Sequence, residues 1–239
     1  MRKITTTLFV RFNLKSLVIS AIFLHSLLFV LNTKAFSQTI KSNDTEIDFS
    51  GILINKENRS LSLPCKVNMT AGLIEVILCR PEGKTHESFL VTDIKPVALN
   101  AALLLLGLDP VNEMPEDPTM EDPLSPYSTI ETPGDSILIF IEYELKGQII
   151  KKPLNEFIYD VRKKKPIDRL SWLYRGAVTH KSGYIIIDED VTMIATYHDP
   201  VAFIEMNNDD KNNDEWFYVN EKIGLAKDQP VNLIIETIK

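Results

Sequence analysis

From Gly51 onward, short apolar runs alternate with polar turn signals, a pattern of strands more than of helices. "GILINKENRSLSLPCKVNM" holds two apolar stretches around "NKENRS", which predicts a hairpin. "GLIEVILCR" (72–80) is rich in β-branched residues and predicts a strand, and "HESFLVTD" (86–93) alternates behind it. "SILIFIEYEL" and "QIIKKPL" predict a hairpin over Lys146-Gly147. "RLSWLYRGAVTH", "YIIID", "VTMIATY" and "PVNLIIETI" predict further strands. Ala and Leu dominate "KPVALNAALLLLGL" (95–108), which reads as the clearest helix in the chain. Pro96 suits the first turn and Gly107 the C-terminal cap, and apolar residues run nearly all round, so this helix is expected buried against a sheet. "DPVAFIEM" (199–206) predicts a short second helix, with Asp199 as N-cap and Pro200 at its first position. The expected fold is α+β: a β-rich single domain with antiparallel hairpins, one buried Ala/Leu-rich helix and a short helix in the C-terminal half.

Two segments break the pattern. Residues 109–135 hold six prolines and eight acids with no Lys or Arg, which predicts an exposed, acidic Pro-rich insertion rather than a core element. Residues 1–37 read as a secretory signal peptide: a basic start, an apolar run over 16–31, then Ala35 and Ser37 flanking Phe36, with cleavage expected between Ser37 and Gln38. The apolar run rises only about 24 Å against a hydrocarbon core of about 30 Å, short for a span. Residues 38–45 are a polar lead-in, and the domain is expected over 46–239. The whole chain carries a net charge of −7. Residues 1–37 contribute five bases and no acid, so the remainder has 21 basic against 33 acidic residues, or −12. Such a surface repels phosphate backbones and anionic lipids, so nucleic acid is not an expected partner.

The densest polar stretch is "PEGKTHESFLVTD" (81–93). Strand alternation sends His86 and Glu87 to opposite faces and leaves His86 and Ser88 about 6.5–7 Å apart, so "HES" is no compact triad by itself. "PEGK" is a turn signal, with Gly83 suited to positive φ. A hairpin centred there sets Cys79 opposite His86, with Cβ atoms about 4.5–5.5 Å apart. That pair offers a lowered-pKa thiol nucleophile or part of a metal site, with Lys84 and Ser88 as further catalytic candidates; a buried cysteine beside a polar edge residue is the plainer reading. Lys84, His86, Glu87 and Ser88 are equally candidates for binding a ligand. A second hairpin over "VNMTAGLIE" sets Cys65 opposite Glu75–Ile77 rather than Cys79, which argues against a disulfide. His198 reads as a helix entry and His180 as a turn. "NNDDKNNDE" (207–215) lacks EF-hand spacing and reads as a solvated loop. "VRKKKPIDR" (161–169) is the only basic cluster, a solvated face or a grip for an acidic segment. Apart from a metal ion at Cys79 and His86, no cofactor is expected.

The run from "VNMTAGLIEVILCR" through "GKTHES" to "ALNAALLLLGL" resembles the YdjY-like domain of secreted bacterial proteins. Glu75, Leu78, Gly83, Lys84, His86, Glu87, Ser88, Leu103 and Gly107 carry the resemblance. "PGDSILIFIEYE", "WLYRGAV" and "DEDVTMIATYHDPVAFIE" are also similar. Arg175-Gly176-Ala177 stand where that pattern has a small polar pair. The resemblance implies an exported domain of unestablished activity. Some members carry a ferredoxin-like label, but two cysteines cannot supply the four thiolates of an iron–sulfur cluster. The expectation is therefore a secreted or periplasmic binding domain for an unknown protein or small molecule of the envelope. It would have no membrane span once the signal is removed. The alternatives are a thiol- or metal-dependent module using Cys79 and His86, and an envelope structural protein tethered by an uncleaved N-terminus.

Overall fold

Polar turns between short alternating runs fold the first strands into a meander. β1 (Ile40–Ser42), β2 (Glu46–Phe49), β3 (Ile52–Asn55) and β4 (Ser60–Val67) pair antiparallel in succession. "NKENRS" closes β3 on β4 as expected: Asn55 faces Ser60, and its side chain accepts from the Asn58 N–H at 2.8 Å. The computed structural model describes residues 40–42, 45–110, 134–168, 171–179, 185–186, 192–199, 201–207, 213 and 215–238. The signal-like residues 1–37, most of the acidic insertion, His180 and most of the polar loop 207–215 lie outside the described residues.

The strands that follow are β5 (Val76–Cys79), β6 (Ser88–Val91), β7 (Asp135–Leu145), β8 (Gln148–Pro153), β9 (Ile158–Asp160) and β10 (Lys165–Pro166). Then come β11 (Trp172–Tyr174), β12 (Val178–Thr179), β13 (Ile185–Ile186), β14 (Ile194–Ala195), β15 (Ile204–Met206), β16 (Phe217–Val219) and β17 (Pro230–Thr237). Eight of them close a barrel in the order β4–β17–β7–β11–β15–β14–β5–β6 and back to β4. An eight-stranded ring is just wide enough for side chains to fill it. The register stacks them in rows: Leu63, Leu233 and Ile141 in one, Leu61, Ile235 and Ile139 in the next, all buried. Each such side chain contributes about 1.5–3 kcal/mol. β1–β3 extend from β4, and β8 folds back on β7 through Lys146-Gly147, both at positive φ as a type I′ turn requires. β10, β9 and β16 form a separate three-stranded sheet. Beside it Phe157 meets the rings of Phe89 and Tyr143.

α1 (Pro96–Leu105) lies between β6 and β7 in the chain. It ends in a Schellman motif: the Leu108 N–H donates to Leu103 O, the Gly107 N–H to Leu104 O, and Gly107 has φ +84°. Ala98, Leu99, Ala102 and Leu103 are buried, and Asn100 Oδ1 accepts from the Tyr174 hydroxyl at 2.9 Å, tying α1 to β11. The helix is not buried all round, because Val97, Leu104 and Leu105 are exposed.

Three local expectations are overturned. β5 and β6 do not form a hairpin: they run parallel, with Val76 beside Ser88 and Cys79 beside Val91. Gly83 does not take positive φ; three tight turns over Arg80–Glu87 spool the chain back instead of reversing it once. "VNMTAGLIE" is no hairpin either, since β4 pairs with β6 and β17. Nor do residues 199–206 form a helix. Asp199 caps only a turn, its Oδ1 accepting from the Val201 N–H, and Ile204–Met206 enter the barrel as β15. Barrel closure requires a strand there, and burial of Ile204 and Met206 outweighs the local capping signal.

Candidate functional site

Both parallel pairs of the barrel, β5 with β6 and β14 with β15, are joined by short crossovers. The first is residues 80–87. Asn68 pins its end, donating through Nδ2 to Thr85 O at 2.6 Å and Ser88 O at 2.7 Å. The second begins at Thr196, whose hydroxyl is held by Ile74 O and Glu75 O at 3.1 and 3.0 Å. Because β14 and β5 are neighbours, the two crossovers meet. Lys84 of "GKTHES" donates to the Tyr197 hydroxyl at 3.2 Å and lies 3.6 Å from Asp199 Oδ2 and 3.7 Å from Glu87 Oε1.

Beneath this contact sits a buried charge cluster. Ile204 and Met206 face the core, so alternation turns Glu205 to the other face of β15, where it is still almost wholly buried. A buried carboxylate demands partners. Glu205 Oε2 receives His198 Nδ1 at 2.8 Å and Arg175 Nη1 at 3.3 Å. Arg175 also donates to Asp199 O at 3.0 Å, linking the lower cluster to the upper. The N–H groups of Arg175 and Gly176 both point to Phe203 O, and Gly176 has φ +77°. A Cβ at Gly176 would collide with the Pro110 ring. A carboxylate only accepts, so His198 Nδ1 carries its proton toward Glu205. His198 Nε2 is buried with no partner, in a side chain only 10% exposed.

The surroundings fix protonation elsewhere in the site. Burial works to lower the pKa of Lys84, but the Tyr197 hydroxyl and the Asp199 charge outweigh it and hold the ammonium above the usual lysine range. Burial and Asp199 together push the Tyr197 phenol up. Lys84 is therefore a standing cation rather than an amine nucleophile, and Tyr197 a standing hydroxyl.

The other sequence candidates fall apart as a group. Cys79 is wholly buried and sits beside Val91 rather than His86; burial pushes its thiol up, and the Ser88 hydroxyl offsets this only in part. His86 is 80% exposed, with Glu87 as its neighbour at 3.5 Å. Ser88 is buried and donates to Leu90 O at 2.7 Å. Cys65 and Cys79 are free, because β6 runs between their strands. Two strand spacings put their Cα atoms about 9–10 Å apart, beyond any disulfide. Among the described residues no three His, Cys, Asp or Glu side chains converge as a metal site would need. The basic run 161–169 is partly spent on its own neighbours: Arg162 pairs with buried Asp160 at 2.8 Å and stacks 3.5 Å from the Trp216 ring.

Sequence reasoning found Lys84 and missed His198, Arg175 and Glu205 as a set. The missed signal is the lone acid in the apolar run "AFIEM", which requires cationic or donor partners once that run is a strand. A cleft of about 140 Å³ between β4 and β6, lined by Pro64, Cys65, Pro81, Val91, Thr92 and Ile94, shares no residue with the cluster.

Fold and site define a closed β-barrel domain with a polar cluster built on the crossovers of its parallel strand pairs. The chain belongs to the YdjY domain family, whose model matches residues 52–235. No curated protein and no solved structure matches it. No helix among the described residues is long and apolar enough to cross a membrane.

Proposed function

We propose that the protein is an exported binding domain whose recognition site is the cluster of Lys84, Tyr197, Asp199, Arg175, Glu205 and His198. One observation carries this reading: every charged group of the cluster has a partner, yet His198 Nε2 is buried and unpaired. A buried polar atom without a partner costs about 1–3 kcal/mol, which a bound molecule would recover. Binding is favoured over thiol chemistry because Cys79 is wholly buried, burial pushes its thiol up, and it sits beside Val91 rather than His86.

The test is a thermal-shift screen of small polar molecules on the exported protein, repeated on Lys84→Met and His198→Asn. A hit that stabilises the wild type and loses its effect in both variants supports the reading. Hits that survive both substitutions place recognition elsewhere.

Export rests on the basic–apolar–small order of residues 1–37. The mass of the protein recovered from producing cells checks it. A chain beginning at Gln38 is expected; a chain retaining residues 1–37 would instead make this a tethered envelope component.

A further inference from the structure

We infer that the cleft between β4 and β6 is a second site, which binds a free α-amino acid with a ring-sized apolar side chain, its carboxylate at Lys66 and its ammonium at Asp93. The inference goes beyond the cluster above, with which the cleft shares no residue. The cleft exists because β4 changes neighbours along one edge. That edge pairs with β3 through residues 60–62 and with β6 at Lys66 and Val67, and residues 63–65 lie between the two. Pro64 has no N–H to offer a partner strand there, and its carbonyl accepts from the Thr92 hydroxyl at 2.7 Å. Pro81 of the first crossover, Val91 and Ile94 complete the apolar lining.

The volume, about 140 Å³, and the apolar lining select the side chain. A dry cavity of about 150 Å³ takes a benzene ring. The buried hydroxyl of the lining, on Thr92, already donates to Pro64 O and accepts from the Ile94 N–H. The charges select the rest of the ligand. Lys66 and Asp93 line the cleft and are exposed, and among the described residues neither side chain makes a hydrogen bond or an ion pair. The neighbouring Arg80 and Glu82 pair with each other at 3.0 Å. The mouth therefore carries one unanswered charge of each sign. An anion alone would answer Lys66 and face Asp93, and a cation alone would do the reverse. A ligand that holds both charges beside an apolar group answers both, and an apolar α-amino acid has that arrangement.

The experiment is ¹H–¹⁵N correlation NMR of the exported, ¹⁵N-labelled protein titrated with L-phenylalanine. The comparison probes are phenethylamine, which lacks the carboxylate, 3-phenylpropionate, which lacks the ammonium, and glycine, which lacks the ring. L-Phenylalanine is expected to move the amides of Lys66, Val91 and Ile94 and to leave those of Lys84 and Tyr197 in place. Each ring-bearing analogue is expected to bind about threefold more weakly, the scale of one exposed ion pair, and glycine is expected not to bind. Lys66→Met is expected to abolish the preference over phenethylamine, and Asp93→Asn the preference over 3-phenylpropionate, with the circular dichroism spectrum unchanged in both. Analogues that bind as tightly as L-phenylalanine, or preferences that survive these substitutions, overturn the inference, because the cleft then has no selectivity for a zwitterion. Shifts confined to Lys84 and Tyr197 also overturn it and would move recognition to the cluster. No shift at the cleft with any probe overturns it outright, while the thermal-shift screen on Lys84 and His198 decides the cluster separately.

Discussion

Two thiols make the sharpest residue-scale expectation. Cys65 lies in the barrel wall, and burial pushes its pKa from 9.0 to about 12 despite contacts with Leu233 and Thr92. The folded state keeps the proton where the unfolded chain has lost it. Stability is therefore unaffected below about pH 9 and falls from there to about 12, by about 1.4 kcal/mol per pH unit for each such group. Urea unfolding along an alkaline series checks this, and Cys65→Val is expected to flatten the slope. Alkylation of either cysteine is expected to be far slower in the native protein than in denaturant, and equal rates would restore the nucleophile reading of Cys79. A buried strand cysteine was already the plainer reading of the sequence at Cys79. The sequence could not reveal that β6 separates the pair, because that depends on which strands are neighbours.

At the scale of elements, the crossovers are held by a few named contacts. Asn68→Ala removes two hydrogen bonds to part-buried carbonyls and is expected to cost about 1–3 kcal/mol. Gly176→Ala combines positive φ with a clash on Pro110, and a loss of about 1–3 kcal/mol is expected. Both are read as a lower urea midpoint at unchanged slope. The hairpins over "NKENRS" and Lys146-Gly147 were legible because their turn chemistry is local. The relation of β5 to β6 was not. "PEGK" carries a genuine turn signal, but the barrel needs β6 between β4 and β5, and long-range pairing decides the direction of the strand. Residues 199–206 fail for the same reason: capping by Asp199 is local, and the demand for β15 is not.

For the whole molecule, the β-rich character could be read from alternation alone, whereas closure into a ring could not. Closure removes the edges of the central strands and brings "GKTHES" against "ATYHDP", which are 113 residues apart at Lys84 and Tyr197. The site is thus a product of topology: a lysine visible in the sequence meets a tyrosine, an aspartate and a His–Glu–Arg group that read separately as strand ends and caps. That the two crossovers form one site is the claim on which the functional reading depends. A double-mutant cycle between Lys84→Met and Asp199→Asn, read by urea unfolding, tests it most directly. Coupling of about 0.5 kcal/mol or more is expected for residues in one network; single effects that add to within about 0.3 kcal/mol would show that the crossovers are energetically independent and would contradict it.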